Sequence, residues 1–504
     1  MTSYLRARPG CRVHNRGFRP QGFYMRPALR FHALAACIAL ACSAHAADKA
    51  TTIPAKAVEA ATALRDKAMA DNTGYEFVSG LTTEVGPRLA GSEADKRGVD
   101  WTVAKFKAMG FDKVYTEKVS YPLWERHSEH AAIVAPYPQQ LYVTALGYSA
   151  GTPAGGLTAE VVAFDTLDAL KAADPANVKG KIVYVSTHMQ QQKDGHDYGM
   201  GSATRTRGPV LAAKMGAAAY LLRSAGTDPH SRTPHTGVTG FTDPEDAIPA
   251  AALSLPDADQ LERVLKEGKP VTLKLDLDVG FKGTYEGTNV IAEVTGRKKP
   301  NEVVAIGGHL DSWDLGTGAI DDGAGVAIAA AAAKLIKDMP QRPDRTIRVI
   351  AFANEEMGLW GGRAYADKHG AEVSKFQLGT ESDFGAGRIW RMSASVKPEA
   401  RGAIEQIARV IEPIGVAYDA TKPGGGGSDL SQMHAKGMAA LSLTQDGTDY
   451  FDYHHNANDT LDKIDPKALA QNVAVYAVFA YMAAQADGNF GSAPGAFAKD
   501  GAHD

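Results

Sequence analysis

The side chains that could do chemistry in this chain are histidines and carboxylates, and they fall in short clusters. Gly308-His309-Leu310-Asp311-Ser312 is followed nine residues on by Gly318-Ala319-Ile320-Asp321-Asp322-Gly323. Asn354-Glu355-Glu356, Thr380-Glu381-Ser382-Asp383 and Tyr453-His454-His455-Asn456-Ala457-Asn458-Asp459-Thr460 complete the set. Adjacent glutamates beside an apolar run are costly to place in a dry site unless a cation balances them. Two histidines with three or four carboxylates make an N/O ligand set suited to Zn²⁺. A carboxylate shared between two ions ~3.5–4 Å apart would make a two-metal clamp, and Asp321 is the candidate for the shared position.

These clusters need elements that bring them together. Residues 289–294, 303–307, 346–352, 376–379, 389–392 and 440–443 read as strands, and 324–337, 398–411 and 466–486 as helices. The run 346–352 is apolar throughout, as in a strand buried on both faces. Strands alternating with helices imply an α/β fold, a mostly parallel mixed sheet flanked by helices. In such sheets active sites lie beyond the carboxyl ends of strands, where each cluster falls. Upstream, 55–72 and 93–109 read as helices around the loop Gly86-Pro87-Arg88-Leu89-Ala90-Gly91-Ser92. Between them and the α/β half, residues 127–283 change texture: short β-type runs at 141–145, 159–163, 181–185 and 218–222, and one helix near 208–215.

At this point the spacing resembles a known family. Residues 303–325, from Val303-Val304-Ala305-Ile306-Gly307 through His309-Leu310-Asp311-Ser312-Trp313-Asp314 to Asp321-Asp322-Gly323-Ala324-Gly325, look like the metal-binding stretch of M28-family zinc peptidases. The resemblance spans roughly residues 55–487 and implies the zinc-exopeptidase fold in two parts, 47–126 and 284–487. It makes 127–283 an inserted protease-associated (PA) domain; a plain β-rich insertion is the alternative. It implies two Zn²⁺ per chain: His309 and Asp383 on one ion, Glu356 and His455 on the other, Asp321 bridging. His454 is the alternative ligand to His455. Glu355 would be the general base and Asp311 would orient His309. A hydroxide between the ions would attack the peptide carbonyl while Glu355 takes its proton and passes it to the leaving amine. Small peptides are the implied substrates, dipeptides or short peptides with free ends, and a homodimer is the implied assembly. An aminopeptidase on longer peptides, a non-catalytic binding protein on the same scaffold and a one-metal glutaminyl-cyclase-type acyltransferase are the competing readings.

Around the core motif the signals are softer. Gly424-Gly425-Gly426-Gly427-Ser428-Asp429 lacks the lysine of a phosphate-binding P-loop. Ser428 or Asp429 is expected to cap a helix over 430–435, and both, with Tyr453, are candidates for substrate contact. Arg88 reads first as a structural loop residue. His188, His196, His230 and His235 have no metal-type spacing and read as surface or lid residues, Trp313 and Trp360 as core.

The chain has 504 residues, 44% apolar and 22% charged, which excludes disordered, collagen-like and multi-span membrane classes. A net charge of −4 argues against nucleic acid as the main partner. The whole-chain figure conceals an asymmetry, because residues 1–46 hold seven arginines, no acid and all three cysteines (Cys11, Cys37, Cys42). A basic stretch, the apolar run 31–42 and Ala44-His45-Ala46 form a secretory signal pattern, with Met25 the more usual start and a lipoprotein site at Cys37 the lesser alternative. The run is too short to span ~30 Å of bilayer. Cleavage would leave 47 basic against 58 acidic side chains, a charge of −11 and no cysteine. A periplasmic or secreted protein without membrane attachment follows as the expectation, with a disordered tail over 488–504.

Overall fold

The computed structural model describes residues 49–497; the signal-peptide reading of 1–46 and the end of the tail, 498–504, lie outside the described residues. Fourteen strands form one sheet: β1 Lys113–Ala135, β2 Gln139–Leu141, β3 Val143–Ala145, β4 Leu157–Phe164, β5 Ile182–Val185, β6 Ala219–Arg223, β7 Ala250–Leu253, β8 Thr272–Val294, β9 Lys299–His309, β10 Arg345–Phe352, β11 Phe376–Glu381, β12 Ile389–Ser395, β13 Ala417–Tyr418 and β14 Ala440–Gln445. The helices are α1 Ala55–Ala68, α2 Thr73–Glu84, α3 Glu93–Ala108, α4 Leu167–Lys171, α5 Tyr198–Lys214, α6 Leu255–Lys266, α7 Ala324–Lys337, α8 Trp360–His369, α9 Arg401–Ile411, α10 Leu430–Ala435, α11 Tyr450–Tyr453 and α12 Pro466–Gln485.

Across the sheet the order is β13-β12-β14-β11-β9-β10-β8-β4-β5-β6-β7-β3. The β9, β10, β11 and β14 pairings are parallel, whereas β8 runs antiparallel to β10 and β12 antiparallel to β14. The register decides the site. His309 lies opposite Phe352, and Gly307 opposite Glu381, so three neighbouring strands release their polar clusters at one edge. Behind that edge, α7 and α12 are buried on nearly every face. A helix apolar all round belongs inside a core, and the alanines of α7 let it pack close to β9 and β10.

The segment 127–283 is joined to the rest by paired strands rather than by linkers. β1 and β8 are 23 residues each and pair from Lys113–Glu293 to Ala135–Thr272. The expected boundaries at 127 and 283 both fall inside this ribbon. β4 pairs with β8 through its first half and with β5 through its second. The parallel set β4-β5-β6-β7 then packs on two apolar clusters, one wholly within the segment and one that also takes in Leu89, Trp313 and Met357.

Three expectations change. The helix over 55–72 ends at Ala68, and α2 follows, burying Phe77, Val78 and Leu81. The helix expected near 208–215 begins ten residues earlier, at Tyr198. The tail is ordered to residue 497: Phe490 is buried, and Ala493 and Gly495 donate backbone hydrogen bonds to Gly437 and Lys436. Small residues here allow close backbone approach instead of disorder. Among the described residues no helix is long and apolar enough to cross a membrane.

Candidate metal centre and substrate cavity

β9 delivers His309 with its backbone N–H donating to the Asp322 carboxylate at 2.9 Å. Its Nδ1–H donates to the Asp311 carbonyl oxygen at 3.0 Å, which leaves Nε2 facing the carboxylates of Asp321 (3.1 Å) and Asp383 (3.4 Å). The other oxygen of Asp321 faces the histidine pair: His455 Nε2 is 3.3 Å away and His454 Nε2 3.5 Å. His455 Nε2 also meets Glu356 Oε2 at 2.8 Å. Asp321 therefore stands between two imidazole groups, one oxygen toward each. Ligand atoms of His309, Asp321 and Asp383 converge within 4.8 Å, as do those of Asp321, His454 and His455.

Two observations test whether this donor set suits metal. Asp321 Oδ2 and Glu356 Oε1 are buried without a hydrogen-bond partner, an arrangement that costs ~1–3 kcal/mol per group unless something else satisfies it. Burial also pushes the Glu356 carboxyl up to about 7, with Asp321 adding to the push. Oxygen and imidazole donors that are orphaned and crowded with like charge fit a divalent cation.

The surrounding loops are held by hydrogen bonds that the sequence did not announce. The Asp311 carboxylate accepts the backbone N–H groups of Glu355 (3.0 Å) and Glu356 (3.4 Å), besides lying 3.7 Å from His309 Nδ1. It thus aims the two glutamates as well as the histidine. Asp459 Oδ1 accepts from Ala319 (2.8 Å) and Ile320 (2.7 Å), fixing the approach to Asp321. The Asp321–Asp322 peptide is cis. Arg88 is fully buried and structural: its guanidinium donates to the carbonyls of Gly86, Leu310, Thr317 and Gly318, tying both metal-side loops together.

His235 was expected at the surface or in a lid, and it is instead buried beneath the histidine pair. Its Nδ1–H donates to the His454 carbonyl at 2.6 Å, and Asn456 Nδ2 donates to its Nε2 at 3.1 Å. Both partners require a neutral ring, and burial pulls its pKa down to about 4. The next residue completes the clamp. Thr236 N–H donates to the His455 carbonyl (2.9 Å), and His455 Nδ1–H donates to the Thr236 carbonyl (3.2 Å). These bonds hold His455 at φ 61°, a left-handed conformation that costs a non-glycine residue ~1–2 kcal/mol.

A cavity of about 480 Å³ opens over the cluster. Asp321, Glu355, Glu356, Asp383, His454 and His455 reach it from the sheet edge, and Tyr198, Ser202, Arg205 and Thr206 from α5. Burial and the neighbouring Asp383 charge push the Glu355 carboxyl well above its usual range. Ser428 lines the cavity and its hydroxyl donates to Asp383. Asp429 does not line it. Its carboxylate is buried and accepts the Gly362 N–H at 2.7 Å, and it makes no cap on α10, whose Leu430 N–H goes to Glu381. Tyr453 also faces away, toward a separate depression with Lys463. The glycine run serves packing: at Gly427 a Cβ would meet that of Glu381 at 2.6 Å. Trp313 is buried, with its ring 5.8 Å from that of His455.

The family model for peptidase family M28 matches residues 289–480. Human carboxypeptidase Q is 34% identical over 416 residues, 82% of this chain and 86% of that protein, and the mouse protein is 33% identical with the same coverage. A crystal structure of a peptidase M28 precursor from Shewanella amazonensis is 51% identical and covers 85% of this chain and 97% of that one, with a TM-score of 0.83. A zinc aminopeptidase from Bacillus subtilis, at 21% identity and a TM-score of 0.58 over 81% of this chain and 94% of that one, shares the fold. With one-third identity across four-fifths of its length, and a metal-type cluster at the edge of the shared sheet, this chain belongs to peptidase family M28.

Proposed function

We propose that the protein is a secreted or periplasmic di-zinc exopeptidase that hydrolyses dipeptides or short peptides. The observation that carries this reading is Asp321, one oxygen toward His309 and Asp383 and the other toward His455 and Glu356, with Glu355 beside it in the same cavity. His309 and Asp383 would hold one Zn²⁺, Glu356 and His455 the second, and Asp321 both. Of the two stacked histidines, His455 is the ligand because it alone also meets Glu356. When bound, the ions acidify water and polarise the scissile carbonyl.

The protein's own groups do the rest. Glu355 is held by the Asp311–Glu355 N–H bond at the cavity wall, and its raised proton affinity suits a group that takes a proton from water and gives it to the leaving amine. The cavity, about 480 Å³, suits a dipeptide or a short peptide end and excludes a folded protein chain. Residues 127–283 are read as a PA-type segment that supplies the opposite wall.

The test is Glu355→Gln in zinc-loaded protein, assayed on a dipeptide set with free, N-blocked and C-blocked ends. The expected outcome is two zinc ions retained and a rate loss of ~10²–10⁴-fold. Full activity in a variant with full metal content would refute the assignment. Loss of cleavage on blocking either end supports the dipeptidase reading; tolerance of long C-terminal extensions would favour an aminopeptidase.

A further inference from the structure

We infer that Arg126 is a positioning residue for the second metal ion: it fixes the two supports on which His455 and Glu356 hang. Arg126 lies on β1 where the long ribbon slips register. Arg126 pairs with Val279 and Ser128 with Asp278, which leaves His127 over as a β-bulge. A bulge re-aims the side chains beside it. Here His127 is exposed, whereas the Arg126 side chain turns inward and is only 4% exposed. Its donors are divided among three separate pieces of chain. Nε donates to the Asp314 carboxylate at 3.2 Å, and Nη2 donates to the other oxygen of the same group. Nη1 donates to the Thr144 hydroxyl (2.5 Å) and the Ala145 carbonyl (3.0 Å) in β3, and to the Thr236 hydroxyl (3.4 Å). The guanidinium carbon also approaches two indoles, 5.8 Å from the ring of Trp124 and 5.7 Å from that of Trp313.

Two of these contacts lead to the second ion. Thr236 is the residue whose N–H and carbonyl clamp His455, and its hydroxyl is held between Arg126 and the Ala145 carbonyl, to which it donates at 2.7 Å. Asp314 closes the loop that begins at Asp311, whose carboxylate holds the Glu355 and Glu356 N–H groups. Trp313, next to Asp314, places its ring 5.8 Å from that of His455. The first ion has other supports. His309 is tied to Asp322, Asp383 is tied to Ser428, and β9 and β11 pair directly. Among the described residues no hydrogen bond or ion pair joins Arg126 to any of these. An ion pair this withdrawn from water returns little net stability over apolar packing, but a bidentate fork fixes both distance and angle. Arg126 is not among the described residues that line the catalytic cavity, so it reaches the chemistry only through the supports it holds.

The inference rests on the di-zinc reading, and the experiment separates the two. Apo protein is titrated with zinc against a competing chelator, and the step that disappears in His455→Ala marks the second ion. Arg126→Met should weaken that step ~10–100-fold and leave the first within about threefold, the effect of losing an outer support rather than a ligand. At saturating zinc, kcat should stay about tenfold below wild type with KM within about twofold, because the reacting groups are displaced while the cavity wall is untouched. Arg126→Lys, which keeps the charge but loses the fork, should restore little of either loss. Asp314→Ala removes a side chain that is 29% exposed and should weaken the same step; added to Arg126→Met it should cost nothing further, since the two act as one unit. An unmoved second step in Arg126→Met, or equal weakening of both steps, would overturn the assignment. Should that variant not fold, an unmoved second step in Asp314→Ala does the same. A wild type that takes up fewer than two zinc ions would sink the di-zinc reading and this inference with it, whereas two clear steps with the second unmoved sink the inference alone.

Discussion

Replacing His235 by phenylalanine should loosen the metal site from below. The ring keeps a similar shape, so the cost comes from hydrogen bonds rather than volume. One buried group loses its partner, the His454 carbonyl, now 2.6 Å from Nδ1, and the Asn456 amide gives up its 3.1 Å bond to Nε2 while keeping the one to the Asp452 carbonyl at 2.8 Å. At ~1–3 kcal/mol for the orphaned carbonyl and ~1 kcal/mol for the lost amide bond, the variant should lose about 2–4 kcal/mol of stability. The same bonds hold the backbone that presents His455, so zinc affinity should also fall ~10–100-fold, the usual effect of removing an outer partner of a ligand. Denaturant unfolding and competition with a chelator read the two effects separately. The pH dependence adds a sign. His235 is held near 4 in the fold against 6.5 in the unfolded chain, so between those values the unfolded state binds more protons. Its contribution is present above 6.5 and is lost as pH falls toward 4, about 3 kcal/mol in all. The phenylalanine variant lacks that slope, so the gap between wild type and variant should narrow on acidification. A variant that unfolds like wild type, holds zinc as tightly and shows a pH-independent gap would refute the reasoning.

Three further outcomes follow from the geometry. Asp321→Asn should bind at most one zinc after dialysis yet remain folded, because the described partners of the Asp321 carboxylate are histidine side chains and no backbone group; retention of two ions would contradict the bridging role. Arg88→Lys should destabilise by about 3 kcal/mol or more in denaturant unfolding, since one ammonium cannot reach all four carbonyls the guanidinium serves; an unchanged midpoint would show those contacts to be worth nothing. Asp429→Asn should leave KM within about twofold and stability within about 1 kcal/mol, because burial pushes this carboxyl up to about 8 and an amide oxygen can still accept the Gly362 N–H; a large KM change would restore a substrate-binding role.

The parts of the site that could be read in the sequence share one property. His309, Asp321, Glu355, Glu356 and Asp383 each follow an apolar strand or glycine turn closely, so their nearness in space follows from strand order and one common edge. His235 and Arg205 have no such signal. Their partners in the 454–456 turn are more than two hundred residues away in sequence, and histidine among Thr, Pro and Gly looks like loop. Asp429 misled for the opposite reason. An aspartate after four glycines resembles a cap or a pocket rim, but Gly427 lets the chain press onto Glu381 and turns Asp429 inward. Tyr453, one residue before the histidine pair, faces away because α11 ends there, and the chain leaves the helix as it turns toward Asp321.

Both residues that escaped the sequence come from the same segment. The sheet edge provides every carboxylate that meets the histidines, but the bonds that set His455 in its left-handed conformation come from His235 and Thr236, and the cavity's one arginine comes from α5. A segment tethered by flexible linkers could not hold a ligand's backbone to hydrogen-bond tolerance. Here β1 and β8 cross from one region to the other as one antiparallel ribbon, and β4 pairs with the end of that ribbon and with β5. The joint is thus made of the same ladder hydrogen bonds as the sheet itself. The backbone of His455 and the α5 wall of the cavity are therefore mechanically coupled, and a substitution in 127–283 that loosens the ribbon should weaken zinc binding, read by competition with a chelator, together with peptidase activity.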